Sequence, residues 1–131
     1  MTLLDSIAAM PQLHMGGIDD PAIQYFATQW GGTDYPPTSA AEGGRQIVVR
    51  FANGFGASII CYPNGGSYGG KVGAWELMPL TFRGNDWFLA KDADPTGWID
   101  SKNVIKFLRD IADNGIENAK FYNDGFVNQE V

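Results

Sequence analysis

Apolar residues between positions 46 and 62 fall in two short runs that are separated by a turn signal. The runs hold Ile47, Val48, Val49 and Phe51, and then Ile59, Ile60 and Tyr62. β-Branched and aromatic residues of this kind favour strands. Asn53 and Gly54 lie between the runs, and this pair reaches the positive φ angles of a tight turn at little cost. The pattern therefore predicts a β-hairpin.

Two further strands are predicted after this hairpin. Residues 74–82 alternate between two faces, and one face is largely apolar, as expected for a strand that a helix covers. The turn signal at 83–85 then leads into a fourth strand at 86–90. The pattern thus predicts an antiparallel sheet of about four strands.

One amphipathic helix follows the strands. Either Asp100 or Ser101 is a suitable N-cap, and Asn114-Gly115 is a common stop signal. Apolar residues recur between them at helical spacing, at Val104, Ile105, Leu108, Ile111 and Ala112. The fold class predicted for residues 45–131 is therefore α+β, with this helix packed across the sheet.

Residues 1–44 are predicted to form an acidic arm that is either poorly ordered or docked on the domain. Apolar residues at 3–8 have helical spacing that ends before Pro11. The residues Ile23 to Trp30 are suited to a short helix, because Pro21 is tolerated in a first turn. Residues 31–44 are rich in Gly, Pro and small polar residues, which is typical of a linker.

The charge distribution narrows the choice of partners. The chain of 131 residues has a net charge of −6, and its first 44 residues hold five acids and no Lys or Arg. Nucleic acid requires a basic footprint, so it is not an expected partner. No apolar run approaches the ~18 residues of a membrane span, and the N-terminus lacks the pattern of a secretion signal. A cytoplasmic protein that contacts a basic protein surface through Asp19 and Asp20 is the expectation.

A calcium loop is the first chemical motif to weigh. Asp92, Asp94 and Asp100 match positions of a twelve-residue loop that runs into a helix, and Thr96 is a weaker oxygen ligand at a fourth position. The closing carboxylate is replaced by Asn103, and no amphipathic helix precedes the loop. We therefore favour an acidic connection over a metal site.

The glycine-rich loop before the third strand is the main candidate for ligand contact. A strand follows it, whereas a phosphate cradle of the Walker type requires a helix. Its residues Ser67, Tyr68, Gly69, Gly70 and Lys71 remain candidates for binding, with Trp75 or Tyr62 as a stacking surface for a small ligand.

No catalytic set is recognisable, so we expect neither an enzyme nor a cofactor. His14 is the single histidine and is expected to be solvated in the arm, and Cys61 lies in an apolar strand as an inert thiol. Glu76 is expected to pair with Arg50 on a neighbouring strand.

The domain resembles a group of small bacteriophage-encoded proteins that have no assigned activity. The resemblance covers roughly residues 46–112 and rests on Asn53-Gly54-Phe55-Gly56-Ala57-Ser58-Ile59, Tyr68-Gly69-Gly70, Gly73 to Glu76, and Gly97-Trp98-Ile99 before the helix. Pro79 departs from the group's aliphatic-rich strand and suggests an edge or a bulge. The resemblance implies a phage origin and a compact α+β fold.

Three functions follow as expectations. The first is a non-enzymatic phage accessory protein that binds a host or phage protein, for instance to inhibit a host defence protein. The second is a small-ligand or nucleotide-signal binder that uses the glycine-rich loop, and a homo-oligomer with a pocket between subunits would favour it. The third is a minor virion component.

Overall fold

The fold is α+β, with one long helix packed against a curled antiparallel sheet. The computed structural model describes residues 2–28, 44–62, 67–84, 86–90 and 93–118. In chain order its helices and strands are α1 (Leu3–Ala8), β1 (Ile23–Thr28), β2 (Gly44–Arg50), β3 (Phe55–Cys61), β4 (Trp75–Arg83), β5 (Asp86–Leu89), β6 (Thr96–Ile99) and α2 (Ser101–Asn118). The predicted fold class is confirmed, and the sheet has six strands where about four were expected.

The sheet is a meander in which neighbours in sequence are neighbours in space. Its order is β1-β2-β3-β4-β5, and every pairing is antiparallel. The sixth strand, β6, pairs with the first part of β4, whereas β5 pairs with the last part. A long β4 therefore carries two short strands along one edge.

The hairpin between β2 and β3 has the turn that Asn53 and Gly54 predicted. Gly54 has φ +87°, and the Asn53 side chain accepts a hydrogen bond from the Phe55 amide at 3.0 Å. The Asn53 amide group also donates to the Ile111 carbonyl at 2.8 Å, so the turn is tied to α2. This local signal thus sets both the turn and a tertiary contact.

The core lies between the sheet and the two helices. Alternate residues of β2, β3 and β4 face it, including the fully buried Val49, Ile59 and Leu77. The inner face of α2 is fully buried, with Phe107 in addition to the predicted Val104, Leu108 and Ile111. From α1, Ile7 joins the same cluster.

Helix α2 begins and bends where its sequence signals lie. The Asp100 carboxylate accepts from the Asn103 amide at 2.8 Å, which is the hydrogen bond of an N-cap. Gly115 has φ +71° and ψ 174°, so the predicted stop is a break, after which a further turn continues to Asn118. Neither helix among the described residues has the length and apolarity needed to cross a bilayer.

The helix expected at Ile23 to Trp30 is wrong, because residues 23–28 form the strand β1. Each residue of β1 pairs with β2, from Ile23 opposite Val49 to Thr28 opposite Gly44. Hydrogen bonds to a partner strand outweigh a weak local helical preference in so short a segment. Trp30 and the predicted linker before Gly44 lie outside the described residues.

Candidate functional site

A loop between α1 and β1, residues 14–22, is held at both ends by the backbone of Arg50. The His14 amide donates to the Arg50 carbonyl at 3.0 Å, and the Arg50 amide donates to the Ala22 carbonyl at 2.8 Å. Next to it, Leu13 forms a bridge with Phe51. Both ends of the 14–22 loop are therefore fixed on the last residues of β2.

Three polar side chains interact at the base of the same loop: those of His14, Asp20 and Arg50. Asp20 contacts His14 Nε2 through Oδ2 at 2.9 Å and accepts from the Arg50 guanidinium through Oδ1. The Arg50 group also donates to the Gly84 carbonyl and lies over the Phe82 ring. The hydrogen bond with His14, together with the Arg50 charge, lowers the pKa of Asp20 below its ordinary value.

One expectation about this cluster needs correction. His14 was expected to be solvated, but only 22% of its side chain is exposed and it pairs with Asp20. Asp20 was expected to contact a partner together with Asp19; its side chain is 37% exposed, and its carboxylate also contacts His14 and Arg50. Asp19 itself is exposed. The two adjacent acids thus have different roles, one structural and one facing solvent.

The tip of the 14–22 loop presents two apolar side chains to solvent. Met15 is 95% exposed and Ile18 is 98% exposed. Between them the chain turns tightly, since a Cβ at Gly16 would lie 1.7 Å from the Asp20 carbonyl oxygen. Sequence reasoning did not single out Met15 or Ile18; the signal available was an apolar pair flanking two glycines and followed by two acids.

The glycine-rich loop between β3 and β4 forms a second candidate region. Ser67 accepts from the Tyr62 amide at 2.9 Å, and Gly70 begins a 3₁₀ turn that ends at Val72. Gly69 has φ +92° and lies against the Trp98 backbone, where a Cβ would come within 2.9 Å of Cα. Tyr68 and Lys71 are exposed. Residues 63–66 lie outside the described residues.

Glu76 is the acid of this region, and it does not pair with Arg50 as expected. Its Oε1 accepts from the Tyr68 amide at 2.7 Å. The strand register explains the difference, because Glu76 lies opposite Ile60 whereas Arg50 lies opposite Gly56. The Glu76 and Arg50 side chains therefore lie at different positions along the strands and are not opposite each other.

Burial is the largest cause of the pKa shifts of Glu76 and Tyr62. It raises the pKa of the Glu76 carboxyl, and the hydrogen bond from Tyr68 opposes the rise only in part. It also raises the pKa of the Tyr62 hydroxyl, to which the Glu76 charge contributes. An open pocket of about 460 Å³ is lined by Ser67, Tyr68, Glu76 and Pro95.

Trp75 is not a stacking surface. It is buried, Arg45 lies over its ring at 4.6 Å from the centroid, and its Nε1 donates to Ser101 Oγ at 3.3 Å. These contacts place Trp75 in the core between β4 and α2. Of the two predicted stacking residues, only the half-buried Tyr62 retains access to solvent.

The segment that resembled a calcium loop has a strand in its centre. Thr96 is buried in β6, and Asp100 caps α2 through its contacts with Asn103. An irregularity between Trp75 and Leu77 sets two β6 residues, Gly97 and Trp98, against one residue of β4, and Trp98 takes φ +62°. Asp94 is exposed, and Asp92 lies outside the described residues. No group of three or more His, Cys, Asp or Glu within the described ranges is placed to hold a metal ion.

Replacing Glu76 with Gln is expected to stabilise the protein slightly at neutral pH. Because the folded state has the higher pKa, ionisation of Glu76 costs stability above its unfolded pKa, and this cost disappears as the pH falls through the folded value. The amide oxygen keeps the hydrogen bond from Tyr68. The gain is expected to stay below about 1 kcal/mol, since half-buried charges remain partly solvated.

Urea unfolding at about pH 7.5 and about pH 4 measures this effect. The stability difference between Glu76→Gln and the parent should be present at the higher pH and vanish at the lower one. Asp19→Asn, which removes the same charge at an exposed position, is the matched control. A less stable Glu76→Gln at neutral pH would show that the carboxylate is a net stabilising group.

Comparisons with protein-family models, with curated proteins and with solved structures find no match for this chain. The resemblance to phage-encoded proteins is not tested by them and stays a prediction. The function must therefore be argued from the chain's own residues.

Proposed function

We propose that this protein acts without catalysis, by binding another protein through the 14–22 loop. The observation that carries the proposal is the display of Met15 and Ile18, both almost fully exposed, on a loop that is fixed at its base. Exposed apolar side chains are unremarkable singly. Two of them within four residues, on a loop held by a charged cluster, form a small apolar anchor.

The fixed base favours binding because it reduces the cost of ordering the loop. Two backbone hydrogen bonds to Arg50 and the contacts of Asp20 restrain the loop before any partner arrives. A loop that is already ordered loses less conformational entropy on association. Burying its two apolar side chains would then contribute about 1.5–3 kcal/mol each.

The charge at the tip indicates the chemistry of the partner. Asp19 is exposed beside Ile18, and the chain as a whole carries a net charge of −6. A partner with an apolar pocket would bury Met15 and Ile18, and basic residues at the rim of that pocket would complement the charge of Asp19. Opposite charges would also accelerate the encounter.

The resemblance to phage-encoded proteins suggests where such a partner occurs. We propose an accessory protein in the host cytoplasm that inhibits a host protein, with a defence protein as the preferred class. The small size, the acidic N-terminal segment and the binding loop support this proposal.

The test compares three proteins in affinity capture from host lysate followed by mass spectrometry. A partner should be retained by the parent chain and by the control Leu89→Ser, which alters another exposed apolar residue, on β5. It should be lost with Met15→Ser/Ile18→Ser. With the purified partner, the double substitution should weaken Kd at least about 100-fold. Equal retention by all three proteins would refute binding through the loop.

A second candidate function uses the pocket at Glu76. The pocket is lined by Ser67, Tyr68, Glu76 and Pro95. A carboxylate at its wall repels phosphate groups, so an amine or a neutral hydrogen-bond donor suits it better than the nucleotide signal. Mass spectrometry of small molecules released from the purified protein tests this alternative, and a released nucleotide would contradict the electrostatic argument.

A further inference from the structure

We propose that the groove between α1 and α2 is a second protein-binding site, which accepts an acidic peptide segment. The groove has a volume of about 880 Å³ and runs along the exposed side of α2. The apolar side chains that line it come from the turn after α1 and from α2: Ala9, Met10, Pro11 and Ile105. This surface is distinct from the 14–22 loop, and the inference does not depend on the function proposed for that loop.

Three cations line the groove from α2. Lys102, Lys106 and Arg109 are all exposed, and their spacing of four and three residues places them on one face of the helix. They span about 10 Å at a rise of 1.5 Å per residue. The lining residues include one acid, Asp110. Asp113 is not one of them, and it accepts a hydrogen bond from the Gln12 side chain at 3.0 Å. The lining therefore keeps a positive charge in a chain whose net charge is −6.

These cations differ from the arginines of the sheet in having no partner within the described residues. Arg45 lies over the Trp75 ring, and Arg50 contacts Asp20 and the Gly84 carbonyl. By contrast, no ion pair among the described residues involves a cation of the groove. No described acid thus forms an ion pair with these exposed cations, which leaves them accessible to an anionic ligand.

The shape and lining favour a peptide over a nucleotide. Among the described residues no aromatic side chain lines the groove, so a base would find no ring there to stack on. Cations spread over two helical turns match carboxylates spread along a peptide, and the apolar floor accommodates the side chains between them. Gln12 also lines the groove, and its side-chain Oε1 is buried without a hydrogen-bond partner among the described residues.

The probe is a fluorescein-labelled peptide in which glutamates alternate with leucines, titrated with the full chain and followed by fluorescence anisotropy. We expect saturable binding whose Kd rises with NaCl concentration, because salt screens exposed charges. Lys106→Glu/Arg109→Glu should weaken binding at least about tenfold, and Lys106→Gln/Arg109→Gln should weaken it by an intermediate factor. Lys71→Glu, which reverses an exposed charge outside the groove, should change Kd by less than about twofold.

Each other outcome overturns the proposal. Equal binding by the parent and Lys106→Glu/Arg109→Glu, with both shown to be folded by circular dichroism, would place the peptide elsewhere. ATP that competes as well as the unlabelled peptide would assign the groove to small anions. Binding to phosphatidylserine vesicles without binding to the peptide would assign it to a membrane surface. Concentration-dependent self-association that the peptide does not disrupt would assign it to a second copy of the chain.

Discussion

Replacing Phe107 with Ala is expected to lower the free energy of unfolding by about 3–5 kcal/mol. Phe107 is fully buried on the inner face of α2, within the cluster that joins the helix to the sheet. Truncation removes the hydrophobic gain of the ring and leaves a cavity that its neighbours fill only in part. Because small domains have a total stability of about 5–15 kcal/mol, this loss takes a large share of it.

Chemical denaturation followed by tryptophan fluorescence measures the change. The midpoint should fall while the dependence on denaturant concentration stays constant, as expected when a mutation alters stability alone. Phe88→Ala is the matched control, because Phe88 is 48% exposed on β5. Its cost should stay below about 1.5 kcal/mol. A Phe107→Ala protein that is as stable as this control would show that α2 does not pack on the sheet through Phe107.

The second large effect is expected at Ile7, whose replacement by Ala should cost about 2–5 kcal/mol. Ile7 belongs to α1, a helix of six residues that is too short to be stable alone. Its side chain is fully buried in the same cluster as Phe107 and Ile111. The packing of this one residue therefore couples the start of the chain to the main core.

Ile18→Ala is the control for Ile7→Ala, since it makes the same substitution in the same part of the chain at a residue that is 98% exposed. Its effect on stability should stay within about 0.5 kcal/mol. The pair is measured by the same denaturation experiment. Two equally small effects would mean that α1 is not part of the cooperative unit, and would remove one wall of the groove proposed for an acidic peptide.

The Ile18 control also separates stability from binding. Ile18→Ala should leave unfolding unchanged and yet weaken the capture of a protein partner, because Ile18 contacts solvent in the free protein. Ile7→Ala should lower stability, since α1 is packed on the core, and should weaken binding of the acidic peptide, since α1 forms part of the groove. Residues 6–22 thus take part in both proposed surfaces.

The sequence predicted correctly the elements that are stabilised by interactions between residues close together in the chain. The turn at Asn53-Gly54 and the apolar stripe of α2 were predicted correctly, and Asp100 is one of the two predicted caps, because each signal depends on residues a few positions apart. The α+β class followed from these elements. For Gly115, the predicted stop proved to be a break before one more turn.

The residues that sequence reasoning misplaced are those whose partners lie far along the chain. Ile23 to Thr28 form a strand because β2, about twenty residues later, supplies the hydrogen bonds. Glu76 was matched with the wrong arginine, since only the register of three strands shows that Arg50 lies on another row. Trp75 was expected to be open to a ligand, and its burial depends on Arg45 and Ser101.

By itself, the sequence determined the hairpin, the long helix, its cap and the α+β class, because turns and amphipathic periods act over a few residues. Only the tertiary structure decided that Asp20 contacts His14 and Arg50, that Met15 and Ile18 face outward, and that three cations of α2 line a groove beside α1. The physical reason is that charge pairing and exposure depend on which distant segments meet in the fold. Both proposed binding surfaces are therefore features that the tertiary structure decided.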